Sequence, residues 1–196
     1  MHAFRKIFVG LIFLVVATDA SAKEMPLWEG LQKNARMMEA DKKLIESVRQ
    51  STNGDLKAGA KRAIELGWQS FETRDFETAI RRFNQAWLLD PENPAIYWGF
   101  ALVTHQRGEP LETVERWFAE TEKRIPNVVP LLSDHGRILE EQNEDKRAVE
   151  YFNRALAIDP DYVEAHVGMA RIAQKAGDLA GYELHMKAIA KARKKT

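Results

Sequence analysis

Two segments that each end in Asp-Pro constrain the fold of this chain most strongly. Residues 83–91 read FNQAWLLDP and residues 152–160 read FNRALAIDP. In each segment, apolar residues recur at helical spacing and a proline then ends the helix. The separation of the two prolines, Pro91 and Pro160, is close to twice a period of roughly 34 residues. An internal repeat of that length predicts an array of short helix pairs.

Small and aromatic residues recur with the same period along the C-terminal two thirds of the chain. The predicted repeat segments are residues 60–93, 94–128, 129–162 and 163–196. Small residues that keep this period to within one position mark the predicted helix crossings: Gly67, Ala101, Gly136 and Ala170. Large aromatic residues follow them at Phe83, Trp117 and Phe152. Antiparallel helices that pack closely need a small residue at the crossing and a large one in the groove beside it.

This pattern resembles the tetratricopeptide repeat (TPR) family over residues 60–196. The first and third segments carry the resemblance best, through Leu66, Gly67, Ala79, Phe83, Ala86 and Pro91, and through Leu132, Gly136, Ala148, Phe152, Ala155 and Pro160. The second segment departs from it at Thr113 and Glu120, and the fourth at Tyr182. The resemblance implies an all-α fold, a right-handed superhelical array of antiparallel helix pairs with about four TPR units.

The N-terminus has the composition of a secretory signal. Arg5 and Lys6 precede the apolar run 7–17, and small residues follow up to Ala22. The run of eleven residues is short against the roughly 20 needed to cross a membrane as a helix. We therefore predict a cleavable signal at residues 1–22 and a mature protein that starts at Lys23. An uncleaved membrane anchor is the alternative.

Export without cysteine favours a bacterial periplasmic or secreted protein. The chain contains no cysteine, so disulfides and thiolate chemistry are excluded. Lys and Arg together number 29, as do Asp and Glu. This balance gives no net field that would favour nucleic acid.

The predicted lead and extra helix occupy residues 23–59, before the repeats. The lead 23–30 contains Pro26 and Trp28, and apolar residues at helical spacing predict a helix over 31–50. Carboxylates suited to capping precede several predicted helices, at Asp55, Asp75, Glu144 and Asp178. The last helix, 178–194, is expected to turn a polar face outward as a terminal cap.

No constellation of residues points to catalysis. The mature chain has four histidines, His105, His135, His166 and His185, without metal-ligand spacing. Ser133, Asp134 and His135 are consecutive, and consecutive helical residues point about 100° apart, which precludes a relay. We expect His135 to be a packed core residue. We predict no enzymatic activity, no cofactor, no metal and no small-molecule substrate.

The resemblance also implies a concave groove, lined by the first helix of each pair, that binds a segment of another protein. The groove residues that it implies here are Trp68, Phe71, Trp98, Leu102, His105, Arg137, Glu140 and Arg171, with Ile64, Ser133, Val167 and Gln174 beside them. The lysine and asparagine set with which some TPR proteins hold a terminal carboxylate is absent. Tryptophan and arginine are the residues most enriched in binding hot spots.

The predicted function is that of an exported adaptor, which holds a partner's peptide or helix in an aromatic groove and does not contact the membrane after cleavage. Two alternatives remain at this point. The groove could be covered from within the chain, because large apolar patches rarely stay exposed: Trp68 and Trp98 could pack on each other, or the helix over 31–50 with Met37 and Met38 could lie over them. The chain could also be a structural subunit of a membrane assembly, anchored by an uncleaved N-terminus.

Overall fold

The computed structural model describes residues 23–194. In that range the chain forms a short 3₁₀ turn, Pro26–Trp28, followed by nine α-helices. These are α1 (Ala35–Ser51), α2 (Leu56–Glu72), α3 (Phe76–Leu89), α4 (Pro94–Gln106), α5 (Leu111–Arg124), α6 (Val129–Glu141), α7 (Asp145–Ile158), α8 (Val163–Ala176) and α9 (Leu179–Ala192). The predicted signal, with its cleavage residue Ala22, lies outside the described residues.

Successive helices pack as pairs, which confirms the predicted fold class. The pairs are α2 with α3, α4 with α5, α6 with α7, and α8 with α9. The first pair begins at Leu56, so α2 crosses the boundary predicted at Ala60. None of the helices between residues 23 and 194 is long and apolar enough to span a membrane.

The chain divides into two units between Glu92 and Asn93. In the first unit, a Cβ atom built on Gly67 would lie 2.6 Å from Cε1 of Phe83, so the predicted crossing of α2 and α3 is confirmed. Helix α1 packs on this pair through Val48, which is buried together with Ala60 and Leu89.

Helix α1 starts four residues later than the sequence predicts. The Oδ1 atom of Asn34 accepts a hydrogen bond from the backbone N–H of Met37 and caps the helix there. Leu31, which the apolar periodicity placed inside the helix, precedes it and is 54% exposed. An asparagine cap therefore decides the boundary, and the apolar spacing does not.

In the second unit, the ring of Phe152 on α7 is held between two glycines. A Cβ atom on Gly136 of α6 would lie 2.8 Å from Cε1 of this ring, and one on Gly168 of α8 would lie equally close to Cε1. Phe152 is 1% exposed. The ring of Phe152 thus fills the space where α6 crosses α7 in its own pair, and it also fills the contact between α7 and α8 of the next pair.

Three of the four predicted carboxylate caps are confirmed. The side chains of Asp55, Asp75 and Asp178 accept hydrogen bonds from backbone N–H groups in the first turns of α2, α3 and α9. Glu144 precedes α7 but makes no side-chain cap bond. An aspartate or asparagine oxygen suits the N-cap geometry better than the longer glutamate.

Helix α9 exposes the predicted polar residues, among them Glu183 and Lys187, but it also exposes apolar residues that the sequence analysis did not expect at the surface. Leu179, Leu184 and Met186 are 77%, 64% and 41% exposed. Met186 lies one repeat period after Phe152 and so occupies the equivalent position. Within the described residues no helix follows α9, so Met186 lacks the cover that Gly168 of α8 gives to Phe152.

Candidate partner-binding groove

In the second unit the candidate groove starts with a bond between the first helices of successive pairs. Trp98 on α4 donates its indole N–H to Oδ2 of Asp134 on α6 at 3.0 Å. Burial raises the pKa of Asp134, and the Arg137 guanidinium opposes this shift. Because its N–H is held by a carboxylate, the half-buried Trp98 ring is fixed in orientation before any partner arrives.

A second hydrogen bond joins α4 and α6 two helical turns further along. Nε2 of His105 lies 2.7 Å from Oε2 of Glu141, and Arg137 donates to Oε1 of Glu141 at 2.6 Å. His105 and Glu141 each lie seven residues after Trp98 and Asp134 respectively. Since residues seven apart share a helix face, α4 and α6 run parallel with these faces in register.

The link from α6 to α8 is an ion pair between a buried glutamate and a partly exposed arginine. Arg171 donates from Nε to both carboxylate oxygens of Glu140, at 3.0 and 2.9 Å, and from Nη2 to Oε2. Lys175 adds a bond from Nζ to the Glu140 carbonyl at 3.3 Å. The Glu140 side chain is 5% exposed and that of Arg171 is 45% exposed. The hydrogen bond to Glu140 raises the pKa of Arg171. Glu140 therefore positions Arg171, and Arg171 offers the accessible surface.

A cavity of about 330 Å³ lies beside these residues. It is lined by Pro130, Ser133, Asp134, Arg137, Tyr162, Val163, Glu164, Val167, Arg171 and Arg193. Burial raises the pKa of Tyr162 to about 12, so its hydroxyl stays neutral and can donate or accept. The lining combines arginine donors, carboxylate acceptors and two valines, a mixture suited to a peptide with polar and apolar groups.

Some predicted groove residues present little surface. Leu102 is 8% exposed, as is Ile64, and Ser133 is 5% exposed. In the first unit, the half-buried Trp68 packs edge-on against Phe83 at 5.2 Å and against Phe71 at 5.9 Å. Trp68 therefore contributes to the core of its own pair.

Helix α1 does not pack through Met37 and Met38, the residues expected to cover the groove. Its apolar contacts with the first pair come from Leu44, Ile45 and Val48. Met38, one of the two methionines expected over the groove, is 50% exposed.

His135 is the packed histidine that its repeat position predicts. It is 3% exposed, and its ring stacks on Phe118 with centroids 4.3 Å apart. Neither ring nitrogen makes a hydrogen bond with the described residues. Burial lowers the pKa of His135 to about 4, against the opposing charge of Glu122.

His135 is flanked by two ion pairs, and the sequence analysis did not identify them. Nε2 of His135 lies 3.5 Å from Glu115, and Nδ1 lies 3.7 Å from Glu122. Arg147 pairs with Glu115, and Arg154 pairs with Glu122. The glutamates are seven residues apart on α5, and so are the arginines on α7. This matched seven-residue spacing is the sequence signal from which the two ion pairs could have been predicted.

Comparison with known proteins gives two weak sequence relatives. No family model matches the chain. Anaphase-promoting complex subunit 6 of Arabidopsis thaliana is 24% identical over 112 residues, which are 55% of this chain. Cell division cycle protein 16 homolog of Homo sapiens is 29% identical over 124 residues, which are 59% of this chain. The chain spans about a fifth of the length of these curated relatives.

Solved structures decide the fold. Pseudomonas aeruginosa PilF aligns over 72% of this chain and 64% of its own, with 15% identity and a TM-score of 0.65. MamA aligns over 84% and 98%, with 12% identity and a TM-score of 0.61. The first TPR domain of Spaghetti (RPAP3), bound to the HSP90 peptide SRMEEVD, aligns over 62% and 95%, with 18% identity and a TM-score of 0.55. The chain has the tetratricopeptide-repeat fold.

With that fold, the four helix pairs α2–α3 to α8–α9 are TPR pairs, and the Trp98–Asp134, His105–Glu141 and Arg171–Glu140 bonds join first helices of successive TPR pairs. The identities of 12 to 18% limit the likeness to these structures to the fold. What binds here must be argued from the residues of this chain.

Proposed function

We propose that this chain is a protein-binding adaptor, which holds a peptide or helix of a partner along α4, α6 and α8 of the second unit. The observation that carries the proposal is the series of cross-helix bonds on one side of these first helices. Trp98, Arg137 and Arg171 are each fixed there by a carboxylate. Side chains that are ordered before binding lose less rotamer entropy on association.

The chemistry of this surface favours a protein segment. Trp98 provides a rigid aromatic anchor, and the side chains of Arg137 and Arg171, 33% and 45% exposed, present donors near the cavity of about 330 Å³. An aromatic anchor flanked by arginines matches the composition of binding hot spots. RPAP3's first TPR domain, which shares the fold, binds a peptide, and this supports the same general role here.

The proposal includes export and the absence of catalysis. The support for export is the order of basic, apolar and small residues up to Ala22. The support for a non-catalytic role is that the charged side chains of the groove are engaged with each other in structural pairs. The anchored structural subunit remains the competing function, and the N-terminal residue of the native protein separates the two.

A comparative pull-down from envelope extract tests the adaptor function. The wild-type chain serves as bait beside Trp98→Ala and Arg171→Ala, and the matched controls are Leu184→Ala and Lys146→Ala on exposed positions of α9 and α7. We expect one protein that the wild type, Arg171→Ala and both controls retain and that Trp98→Ala loses. A partner retained equally by all five baits would place the binding surface elsewhere.

A further inference from the structure

Two histidines of the second unit join α8 to α9. Nδ1 of His166 on α8 lies 2.9 Å from Nδ1 of His185 on α9. The other ring nitrogen of His166, Nε2, lies 2.9 Å from the carbonyl oxygen of Pro160. His166 is 8% exposed and His185 is half-buried. The two rings therefore form a chain of hydrogen bonds that runs from the Pro160 carbonyl to α9.

The Pro160 carbonyl decides where the protons of this histidine pair lie. A carbonyl oxygen can only accept a hydrogen bond, so Nε2 of His166 must carry a proton and donate it. In the neutral ring the other nitrogen then has a lone pair, so Nδ1 of His166 accepts and Nδ1 of His185 donates. His185 therefore has its proton on Nδ1 and its lone pair on Nε2.

The histidine pair can bind one further proton, but not two, while its hydrogen bond is intact. The first proton goes to the lone pair on Nε2 of His185 and leaves the bond between the rings in place. A second proton would have to go to Nδ1 of His166, where two N–H groups and two positive charges would then face each other. Burial lowers the pKa of His185, and the neighbouring His166 lowers it further against the charge of Asp178.

The segments that carry the pair also carry other charged side chains. These are Asp159, Asp161 and Glu164 near the start of α8, and Asp178, Glu183, Lys187 and Lys191 on or next to α9. Glu183 pairs with Lys187, and Asp161 pairs with Lys191. Carboxylates and ammonium groups ordinarily change charge outside the range of about pH 5 to 8, whereas histidine changes charge within it. The histidine pair is therefore the part of this contact that responds to pH near neutrality.

Helix α9 is attached to the second unit through few buried side chains. The buried residues of α9 are Ile189 and Ala192. An element with so few buried apolar contacts opens at a lower free energy than the core of its unit. If the bond between the histidines is lost while α9 stays in place, the buried His166 keeps an unsatisfied ring nitrogen, and detachment of α9 removes this cost.

We propose that the His166–His185 pair is an acid-sensitive latch, which holds α9 on α8 near neutral pH and releases it in mild acid. In the detached state both histidines are in water, where each binds its own proton below a pH of about 6.5. The detached state then binds at least one proton more than the closed latch. The closed state is therefore fully favoured above this pH, and opening becomes about 10-fold more favourable for each pH unit below it.

Release of α9 removes one wall of the groove cavity. Arg193, the C-cap residue of α9, lines that cavity beside Val167 and Arg171 of α8. The latch is a property of the chain without a partner, whereas its effect on partner binding rests on the proposed adaptor function. The two experiments that follow use the full chain alone, so their outcome does not depend on whether an adaptor partner exists.

Nitrogen NMR spectroscopy of the histidine rings tests the closed latch at about pH 8, where both rings are neutral. We expect His166 to carry its proton on Nε2 and His185 to carry its proton on Nδ1. A proton on Nε2 of His185 would refute the latch, because neither Nδ1 atom could then donate to the other.

Amide hydrogen exchange at about pH 7.5 and pH 5, corrected for intrinsic exchange rates, measures the opening of α9. We expect its opening constant to rise roughly 30-fold or more from the higher to the lower pH. In His185→Gln, whose amide can donate or accept, the rise should be less than about 3-fold. Leu184→Gln, which places the same side chain at the exposed neighbouring position, is the matched control and should keep the full rise.

Two outcomes of the exchange experiment would overturn the proposal. One is an opening constant of α9 in the wild type that is the same at both pH values. The other is a full rise in His185→Gln, because a titrating group elsewhere, such as His135, would then cause the opening. Circular dichroism at about pH 7.5 verifies the helical content of each variant, and the NMR experiment on the wild type is independent of any substitution.

Discussion

Replacement of Gly168 by alanine should destabilise the chain by overpacking. A Cβ atom at Gly168 would lie 2.8 Å or less from three ring carbons of Phe152, closer than real Cβ contacts. The ring cannot move away, because Gly136 already lies against it on the α6 side and Phe152 is 1% exposed. Overpacking of this kind costs about 3 kcal/mol at its upper range. Alanine regains about 1 kcal/mol over glycine in helix propensity, so we expect a net loss of about 2 kcal/mol.

The same substitution in a Phe152→Leu background isolates this contact. Leucine removes the ring carbons that the new methyl group would meet, so there Gly168→Ala should be neutral or should stabilise by up to about 1 kcal/mol. Urea denaturation of the four proteins, followed by circular dichroism, gives the coupling free energy as a double-mutant cycle. We expect about 2–3 kcal/mol of coupling. An equal effect of Gly168→Ala in both backgrounds would refute the argument that Phe152 fills the contact between successive TPR pairs.

Three further predictions concern a crossing, a buried histidine and the N-terminus. Ala101, 0% exposed, should not accept a larger side chain, and Ala101→Leu should lower the free energy of unfolding by about 1–3 kcal/mol; an unchanged melting curve would contradict the repeat register. The folded-state pKa of His135, lowered from 6.5 to about 4, means that the unfolded chain binds more protons between these values. Stability is therefore fully present above pH 6.5 and should fall by about 3 kcal/mol as the pH drops to about 4. His135→Phe should remove that slope in urea titrations, and an unchanged slope would assign it to other groups. Edman sequencing of the native protein should begin at Lys23, and a bulky residue at Ala22 should stall processing; an intact Met1 would favour the membrane anchor.

The repeated parts of the structure could be predicted from the sequence because the same packing problem recurs in each repeat. Gly67 with Phe83 and Gly136 with Phe152 solve it with the same pair of residue types. The burial of His135 followed from its place in the repeat. Where one geometry is used several times, each copy supports the interpretation of the others.

Contacts outside the repeat could not be predicted in the same way. The N-terminal segment 24–28 reaches Asn84 on α3 from a distant part of the sequence, and a single contact between an irregular segment and a helix has no periodicity. The predicted groove residues lie on the first helices of the pairs, but their burial depends on neighbours that the pattern does not specify. Glu140 is the clearest example, because its pairing with Arg171 across two helices buries it.

The groove as a binding surface also has consequences for salt dependence. Arg137 and Arg171 are partly exposed and each is bound to a carboxylate. Electrostatic contacts of this kind orient a partner more than they hold it. Their replacement by alanine should leave the complex intact while making its affinity less sensitive to salt, as measured by titrations at several ionic strengths. An unchanged salt dependence would exclude both arginines from the interface.

The most direct test of the proposed adaptor function is the affinity of an isolated partner for wild-type chain and for Trp98→Ala, measured by calorimetry. The account predicts a loss of about 2–4 kcal/mol, which is a 30-fold or greater loss of affinity, with a much smaller change in melting temperature. Trp98→Phe keeps a ring but loses the hydrogen bond to Asp134, so its affinity for the partner should lie between those of the wild type and Trp98→Ala. A partner that binds Trp98→Ala as tightly as it binds the wild type would contradict the groove as the binding site.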